Sequence, residues 1–234
     1  MNEKNRVRPQ CKRAFIFDMD GTLVDNMKYH TQAWLALFES LGIHLEADDF
    51  QRNTTGKTNP EILRQITGRN LSDIEIQDLA NQKEANYRKL YRPHLAAING
   101  LVSFLSSAKE YHIPMAVATS AGRQNIKFTL EGLQIKSFFG VVVGSEDILN
   151  GKPDPEIFLT TAHRLQVQPK DCIVFEDSHF GLEAADRAGM KAVLLTTSHQ
   201  PVEMCNQTNI LLAVSDFLGL DIHALLRASG ENII

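Results

Sequence analysis

The sequence predicts an α/β protein whose doubly wound, mainly parallel sheet forms a Rossmann-like core, with a small helical cap domain inserted into it. Along residues 94–234, short apolar runs alternate with amphipathic segments, the pattern of parallel strands joined by covering helices. An earlier apolar run, Ala14–Phe17, stands apart from these, and residues 26–92 contain no convincing strand. We therefore predict a core of residues 13–25 and 94–234 and a cap of residues 26–93.

The core elements follow from the apolar runs and from helix boundary signals. The predicted strands cover residues 14–17, 115–119, 141–143, 172–175, 191–195 and 210–214. The predicted core helices cover about residues 101–111, 123–132, 155–165, 180–188 and 222–227. The first strand is apolar throughout, as a strand buried on both faces should be. Gly189 supplies a C-terminal stop for the fourth of these helices.

The inserted segment contains three predicted helices, at about residues 26–41, 59–68 and 72–91. The first carries an apolar stripe and ends before Gly42. Asn59-Pro60 provides a cap and a first-turn proline for the second helix. Ser72 and Glu75 have the spacing of a capping box at the start of the third. The cap is therefore predicted to be helical.

Composition excludes several classes of protein. The chain has 24 Lys and Arg against 28 Asp and Glu, a net charge of −4, so no basic excess indicates a nucleic-acid partner. No apolar run approaches the roughly 18 residues of a membrane span. The basic start, residues 1–12, is predicted to be a flexible tail, and the apolar run after it is too short for a signal peptide. The cysteines, Cys11, Cys172 and Cys205, form no CxxC pair, which favours reduced thiols and a cytoplasmic location.

Chemically active side chains follow the predicted strands at the ends where ligands bind in open parallel sheets. These residues are Asp18 and Asp20, Thr119 and Ser120, Glu176 and Asp177, and Lys152 in a Gly-Lys-Pro loop. Each alone has an ordinary interpretation as a turn former, a loop residue or a helix cap. Several carboxylates near one another are costly to desolvate unless a cation balances them. Such oxygen ligands suit Mg²⁺, and a lysine and a hydroxyl nearby suit a phosphoryl group.

The same residues resemble a known family. Asp18-Met19-Asp20-Gly21-Thr22-Leu23, Thr119, Lys152-Pro153 and Glu176-Asp177-Ser178 stand in the order and rough spacing of the four motifs of the haloacid dehalogenase-like hydrolases. The resemblance covers about residues 13–200, and the insertion resembles the small helical cap of that family. Within the family, the β-phosphoglucomutase group is similar at Asp25-Asn26-x-x-Tyr29-His30 through Trp34, at the Thr-Thr-Gly loop of residues 54–56, and at Lys83-x-x-Asn86-Tyr87.

The resemblance implies a role for each carboxylate. Asp18 would be the nucleophile that forms an aspartyl-phosphate, and it would also ligate Mg²⁺. Asp20 would be the general acid for the leaving oxygen and then the base that activates water, with its backbone carbonyl on the metal. Asp177 would be a metal ligand. Glu176 would be either a further ligand or an acidic neighbour of the ligands.

The resemblance also implies which groups hold the phosphoryl oxygens. Thr119 and the amide of Ser120 would bind them, and Lys152 would offset the charge of the phosphate and of Asp18. The implied substrate is a small phosphorylated molecule, and the implied oligomeric state is a monomer.

Six residues of the cap are candidates for contact with the rest of the substrate: Asn26, His30, Thr55, Gly56, Lys57 and Lys83. For His30 the alternative is a packing residue, since it lies near the apolar stripe of its helix. For Lys83 the alternative is a solvated charge among its charged neighbours.

Two positions favour a phosphatase over a mutase. Mutases of this group carry a Lys just before the loop glycine and an Arg three residues after it, which grip the second phosphate of a bisphosphate. Here these places hold Thr55 and Asn59, and Lys57 could substitute only as a mobile point charge. We therefore predict a Mg²⁺-dependent phosphatase acting on a small phosphorylated metabolite, a sugar phosphate. The alternatives are a β-phosphoglucomutase-type hexose-phosphate mutase, a pyrophosphatase, and a non-enzymatic phospho-switch.

Overall fold

The computed structural model describes residues 13–54, 58–198 and 208–228. The chain divides into two compact units: the first comprises the residues up to Asp25 together with those from Ala96 onward, and the second is Asn26–Leu95. The sequence places the end of the insertion two residues earlier, at residue 93. The predicted basic tail, residues 1–12, lies outside the described residues, as do Thr55, Gly56 and Lys57.

The first unit contains a six-stranded sheet in which all the paired strands are parallel. The strands are β1 Ala14–Phe17, β2 Met115–Ala118, β3 Val141–Val143, β4 Cys172–Glu176, β5 Lys191–Leu195 and β6 Ile210–Val214. Their order is β3-β2-β1-β4-β5-β6, the doubly wound arrangement that the alternation of strands and helices predicts. The predicted α/β fold class is therefore confirmed, and each predicted strand is present within one residue of its expected bounds.

Strand β1 occupies the centre of the sheet because its side chains are apolar on both faces. Phe15 and Phe17 point into one buried cluster, and Ala14 and Ile16 into another, as the period of two along a strand requires. Phe17 stacks on Phe175 of β4 with ring centroids 4.5 Å apart. The aromatic cluster lies on one side of the sheet and smaller apolar residues lie on the other, so both faces are covered.

Helices of the first unit cover the two faces of the sheet. They are α5 Leu101–Glu110, α6 Arg123–Gly132, α7 Glu156–Leu165, α8 His179–Arg187 and α9 Ile222–Ala228. Buried residues of α5, α6 and α9 belong to the aromatic cluster, and buried residues of α7 and α8 belong to the other. The helices thus cover opposite faces of the sheet and leave the carboxyl ends of the strands for the loops.

The second unit is helical, with α1 Met27–Ser40, α2 Ala47–Thr54, α3 Asn59–Thr67 and α4 Asp73–Tyr91. Helix α2 was not predicted individually, because Phe50 is the one large apolar residue among Ala47–Thr54. The capping box of α4 is confirmed, since the Ser72 amide donates to Glu75 Oε2 at 2.9 Å. The predicted cap of α3 is wrong: it is Thr58, one residue before Asn59, because the Thr58 amide donates to Glu61 Oε2 at 2.7 Å.

Among the helices of residues 13–54, 58–198 and 208–228, none combines the length and the apolar character that a membrane span requires.

Candidate active site

Three distant stretches of the first unit meet at the carboxyl ends of β1 and β4. Asp18 directly follows β1, and its amide donates to the Phe175 carbonyl at 2.9 Å, which continues the sheet pairing. Lys152 Nζ lies 2.6 Å from Asp18 Oδ1 and 2.5 Å from Glu176 Oε1. The Lys152 side chain is only 6% exposed. The lysine and the two carboxylates therefore form one buried ion-paired group, although the sequence separates Asp18 from Lys152 by 134 residues.

The turn after β1 is tight and depends on a glycine. The Met19 carbonyl accepts from the amides of Leu23 and Val24, and the Gly21 amide donates to the Val24 carbonyl at 2.7 Å. Gly21 has φ +83°, and a Cβ there would lie 2.0 Å from Asp177 Oδ2. A larger residue would thus be strained by its backbone and would also collide with Asp177. Asp20 lies within this turn, and its charge contributes to the electrostatic environment of Asp18.

Glu176, the last residue of β4, has both carboxylate oxygens engaged. Oε1 accepts from Lys152, and Oε2 accepts from the amides of Asp177 and Ser178 at 2.8 and 2.7 Å and from the Ser178 hydroxyl at 2.9 Å. A Cβ on Gly181, in the first turn of α8, would lie 1.7 Å from Oε1. The absence of a side chain at Gly181 is therefore what allows Glu176 to occupy this position.

Asp177 is buried and is held by hydroxyl groups from two other loops. The Ser198 hydroxyl donates to Asp177 Oδ2, and the Thr22 hydroxyl lies 3.5 Å from Oδ1. The Thr197 hydroxyl donates to the Gly21 carbonyl. Thr197 and Ser198 are not among the residues predicted from the sequence, although they follow the carboxyl end of β5, where ligand-binding side chains are expected in a parallel sheet.

Burial and like charges raise the pKa values of the acidic residues. Burial is the largest cause of a pKa of about 7 for Asp18; Lys152 lowers it, while Glu176 and Asp20 raise it. Burial, followed by Glu176 and Asp18, raises the pKa of Asp177 well above its ordinary value. Burial by itself would lower the pKa of Lys152, but Asp18 and Glu176 hold it above its ordinary value. Lys152 therefore stays positively charged. The carboxylates around it carry, when ionised, more negative charge than Lys152 offsets.

This acidic excess fits a divalent cation. Asp18, Glu176 and Asp177 together carry three negative charges when ionised, and Lys152 offsets one. Within residues 13–54, 58–198 and 208–228, no group of three or more His, Cys, Asp or Glu side chains is arranged to hold a metal ion by itself. Mg²⁺ does not require such a group, because it is usually bound by one or two carboxylates together with waters and substrate phosphate. Asp18 and Asp177 meet that smaller requirement.

The predicted phosphate-binding residues lie at the end of the neighbouring strand. Phe17 of β1 pairs with Val117 of β2, so Thr119 lies one position beyond the level of Asp18. Thr119 is buried, its amide donates to the Val143 carbonyl at 3.1 Å, and its hydroxyl accepts from the Ala121 amide at 3.1 Å. Ser120, the next residue, is exposed. The turn after β2 thus combines a fixed hydroxyl with a solvent-accessible residue.

Three of the predicted cap residues form a cluster within the second unit, in which Asn26 and Lys83 are buried and His30 is half-buried. Lys83 Nζ lies 2.9 Å from His30 Nδ1 and 2.8 Å from Glu84 Oε1, and Lys83 is only 3% exposed. The His30 ring stacks on Tyr87 with centroids 3.8 Å apart, and Asn26 Nδ2 donates to the Tyr87 hydroxyl at 2.6 Å. The alternative that Lys83 is a solvated charge is therefore wrong. Its carboxylate partner, Glu84, is not among the predicted site residues.

Comparison with known proteins identifies a family and several relatives of this chain. A family model described as haloacid dehalogenase-like hydrolase matches residues 15–195. A fructose-1-phosphate phosphatase of Escherichia coli strain K12 is 33% identical over 182 residues, which is 77% of this chain and 94% of that protein. A β-phosphoglucomutase of Bacillus subtilis strain 168 is 32% identical over 188 residues, 77% of this chain and 82% of that protein.

A third relative is longer than this chain. The chloroplastic 5-amino-6-(5-phospho-D-ribitylamino)uracil phosphatase of Arabidopsis thaliana is 30% identical over 190 residues, and these cover 81% of this chain but only 51% of that protein. Among solved structures, a family IA hydrolase of Entamoeba histolytica HM-1:IMSS matches with a TM-score of 0.87 at 25% identity, covering 94% of this chain and all of that one.

Proposed function

Because this chain belongs to the haloacid dehalogenase-like hydrolases, we propose that it is a Mg²⁺-dependent phosphatase that hydrolyses a small sugar phosphate through an aspartyl-phosphate. The observation that carries the proposal is the pairing of Asp18 with Lys152 and, through it, with Glu176. This arrangement holds a carboxylate in one orientation beside a permanent positive charge, which is what attack on an anionic phosphoryl group requires.

The proposed reaction has two steps. A carboxylate oxygen of Asp18 forms a bond to phosphorus while the bond from phosphorus to the leaving oxygen breaks, and Asp20 donates a proton to that oxygen. Asp20 then takes a proton from water, which attacks the phosphorus of the aspartyl-phosphate. The bond between phosphorus and Asp18 breaks, and inorganic phosphate and the free carboxylate are released.

The other residues of the site bind the phosphoryl group and neutralise its charge. Lys152 offsets the charge of the incoming phosphoryl group, and Thr119 and the Ser120 amide donate to its oxygens. Mg²⁺, held by Asp18, the Asp20 carbonyl and Asp177, would neutralise charge as the two anions approach each other. We assign Glu176 the role of holding Lys152, because its oxygens already accept from the lysine and from the residues that follow it.

A sugar phosphate is the substrate class that the relatives favour. A fructose-1-phosphate phosphatase and a β-phosphoglucomutase are both among them. The assignment of Asn26, His30, Thr55, Gly56, Lys57 and Lys83 to contact with the sugar rests on the sequence resemblance. In the second unit, the clustering of Asn26, His30 and Lys83 around Tyr87 supports a common role for these three.

A screen of phosphate release tests this function. The purified protein would be incubated with sugar phosphates, nucleotides and pyrophosphate, with Mg²⁺ and with excess chelator. We expect Mg²⁺-dependent release from one or more sugar phosphates and none from Asp18→Asn. Equal release with the chelator, or full release by Asp18→Asn, would contradict the mechanism, and release from pyrophosphate alone would contradict the substrate class.

A hexose-phosphate mutase is the second candidate, favoured by the similarity to β-phosphoglucomutase and by the His30–Lys83 contact. Incubation with β-glucose 1-phosphate and a trace of glucose 1,6-bisphosphate separates the two activities. Because Thr55 and Asn59 replace the residues that grip a second phosphate, we expect free phosphate as the main product. Stoichiometric glucose 6-phosphate would identify the chain as a mutase.

A further inference from the structure

Lys152 is a buried lysine on a loop, and its position needs an explanation. It lies between β3 and α7, in a segment that contains only a short 3-10 turn at Ser145–Asp147. A lysine side chain loses rotamer entropy when it is ordered. A flexible loop would add the cost of ordering its backbone, so Lys152 can be held between Asp18 and Glu176 only if the loop itself is fixed.

The first residue of α7 closes this loop. Glu156 Oε1 accepts from the Leu149 amide at 2.9 Å, and Oε2 accepts from the Asn150 amide at 2.8 Å and from its side-chain nitrogen at 3.1 Å. The backbone hydrogen bonds from Leu149 and Asn150 lower the pKa of Glu156, so it accepts them as a carboxylate at neutral pH. One side chain thus ties together the two ends of an eight-residue segment that has Lys152 in its middle.

Further contacts stiffen the same segment. The Asp154 amide donates to the Gly151 carbonyl at 3.0 Å, which makes a turn around Lys152. Asp154 Oδ1 accepts from the Glu156 amide at 2.9 Å, so a side chain of the loop pairs with the first amide of α7. From outside the loop, an Arg187 nitrogen reaches the Pro153 carbonyl at the longer distance of 3.4 Å.

The same turn of α7 also contacts the ammonium group. Lys152 Nζ lies 5.1 Å from the centroid of the Phe158 ring, two residues after Glu156. Phe158 is fully buried in the apolar cluster that also contains Ile16 of β1 and Val174 of β4. The ring therefore offers the lysine a cation–π contact whose position is fixed relative to the strands that carry Asp18 and Glu176.

We propose that Glu156 and Phe158 are positioning residues for Lys152: Glu156 closes the loop that carries the lysine, and Phe158 supports its ammonium group against Asp18. This proposal rests on the proposed function, since it assigns these residues to the same reaction. A carboxylate in the first turn also stabilises a helix by itself. The experiment must therefore separate a shift of Lys152 from a loss of helix stability.

The test compares Glu156→Ala, Glu156→Gln and Phe158→Leu with the wild type. The first readout is hydrolysis of p-nitrophenyl phosphate with Mg²⁺. We expect Glu156→Ala to lower kcat by about 10- to 100-fold with KM changed less than about threefold, because a small misplacement of a charged group is felt most in the transition state. Glu156→Gln keeps one acceptor oxygen and should restore part of the lost kcat. Phe158→Leu should lower kcat less than Glu156→Ala.

The second readout is independent of turnover. Each protein would be treated with N-hydroxysuccinimide acetate, and acetylation of each lysine would be followed by mass spectrometry. We expect Lys152 to be acetylated faster in Glu156→Ala than in the wild type, with exposed Lys191 unchanged as an internal reference. Glu131→Ala, which removes an exposed ion pair to Lys136, is the matched control and should behave as wild type in both readouts.

The outcomes are distinct. Wild-type kcat and an unchanged acetylation rate of Lys152 in folded Glu156→Ala would overturn the proposal, as would a loss of kcat that merely follows a loss of folded protein in thermal melts. Should Glu156→Ala not fold, Glu156→Gln and Phe158→Leu carry the same comparison. If the wild-type protein hydrolyses no phosphomonoester, the proposed function fails, whereas the acetylation of Lys152 still decides whether Glu156 positions it.

Discussion

Among the described residues, two lysine side chains are buried, Lys152 in the first unit and Lys83 in the second, and their electrostatic surroundings differ. Lys152 contacts Asp18 and Glu176, with Asp177 adding further negative charge. Lys83 contacts one carboxylate, Glu84, and lies 5.1 Å from the Trp34 ring and 5.9 Å from the Tyr87 ring. The first group has more negative than positive charge, while the second is balanced and lined by aromatic rings.

This difference separates two kinds of chemistry. An excess of buried carboxylates is unfavourable by itself, so the group around Lys152 is stabilised by binding a cation or by retaining protons. The raised pKa values of Asp18 and Asp177 express that cost. The balanced group around Lys83 needs no such ion, and its aromatic rings and hydrogen-bonding groups suit the ordering of uncharged polar atoms.

Removing the carboxylate of Asp18 should have the largest effect. We expect Asp18→Asn to lower kcat by roughly 10⁴-fold or more, as removal of a covalent nucleophile does elsewhere. Phosphate release measures this, and Asp48→Asn, an exposed acid in the second unit, is the matched control. Residual turnover above about one per cent in Asp18→Asn would assign the nucleophile to another residue.

The two lysines should respond differently to the same change. We expect Lys152→Met to lower kcat by about 10²–10³-fold, because it removes the positive charge beside Asp18. Lys83→Met should keep hydrolysis of p-nitrophenyl phosphate within about tenfold of the wild type, since Lys83 is not part of the Asp18 group. Steady-state kinetics on folded variants compares them. Equal losses for both would remove the distinction between the two groups.

Glycine substitutions test the close packing around Glu176, the carboxylate that pairs with Lys152. A Cβ on Gly181 would lie 1.7 Å from Glu176 Oε1, while one on Gly140 would meet nothing within 4 Å. We expect Gly181→Ala to displace Glu176, to lower kcat by about tenfold or more, and to cost about 1–3 kcal/mol of unfolding free energy. Gly140→Ala should change neither. Activity assays and urea unfolding measure both effects, and wild-type behaviour of Gly181→Ala would mean that Glu176 need not hold Lys152.

The smallest effect that we expect is the change in the affinity for Mg²⁺ with pH. The pKa of Asp18 is raised to about 7, so protons compete with the cation below that pH. We expect the Kd for Mg²⁺, measured by calorimetry, to rise up to about tenfold for each pH unit below 7. A Kd that is constant between pH 6 and 8 would show that Asp18 does not bind the cation, and Asp18→Asn provides the reference without this group.

The same raised pKa predicts how the metal-free protein responds to pH. Folded Asp18 keeps its proton up to about pH 7, whereas an unfolded aspartate loses it near pH 4, at about its ordinary value. The contribution of Asp18 to the stability of the folded protein is therefore fully present below about pH 4 and is lost as the pH rises through 7. Added Mg²⁺ should raise the melting temperature more at pH 8 than at pH 5, which differential scanning fluorimetry would show.

The strands of the sheet could be predicted from the sequence because the apolar pattern that identifies each strand is local. Ala14–Phe17 is apolar on both faces, and a strand with that pattern belongs inside a parallel sheet. Helix α2 could not be predicted with equal clarity, because Phe50 and Thr54 are its buried residues and so give a weak apolar period. The cap of α3 was misassigned by one residue because Thr58 and Asn59 are both good capping residues, and the choice depends on which amide reaches Glu61.

By itself the sequence determined the order of strands and helices and the acidic residues at the strand ends, since both depend on spacing along the chain. Only the tertiary structure decided that Glu176 holds Lys152, that Ser198 donates to Asp177, and that Lys83 is buried against Glu84. Most of these contacts join residues far apart in the chain, and even the neighbours Lys83 and Glu84 owe their burial to packing. No local periodicity of the sequence encodes that packing. The packing depends on which apolar surfaces of different elements are removed from water together.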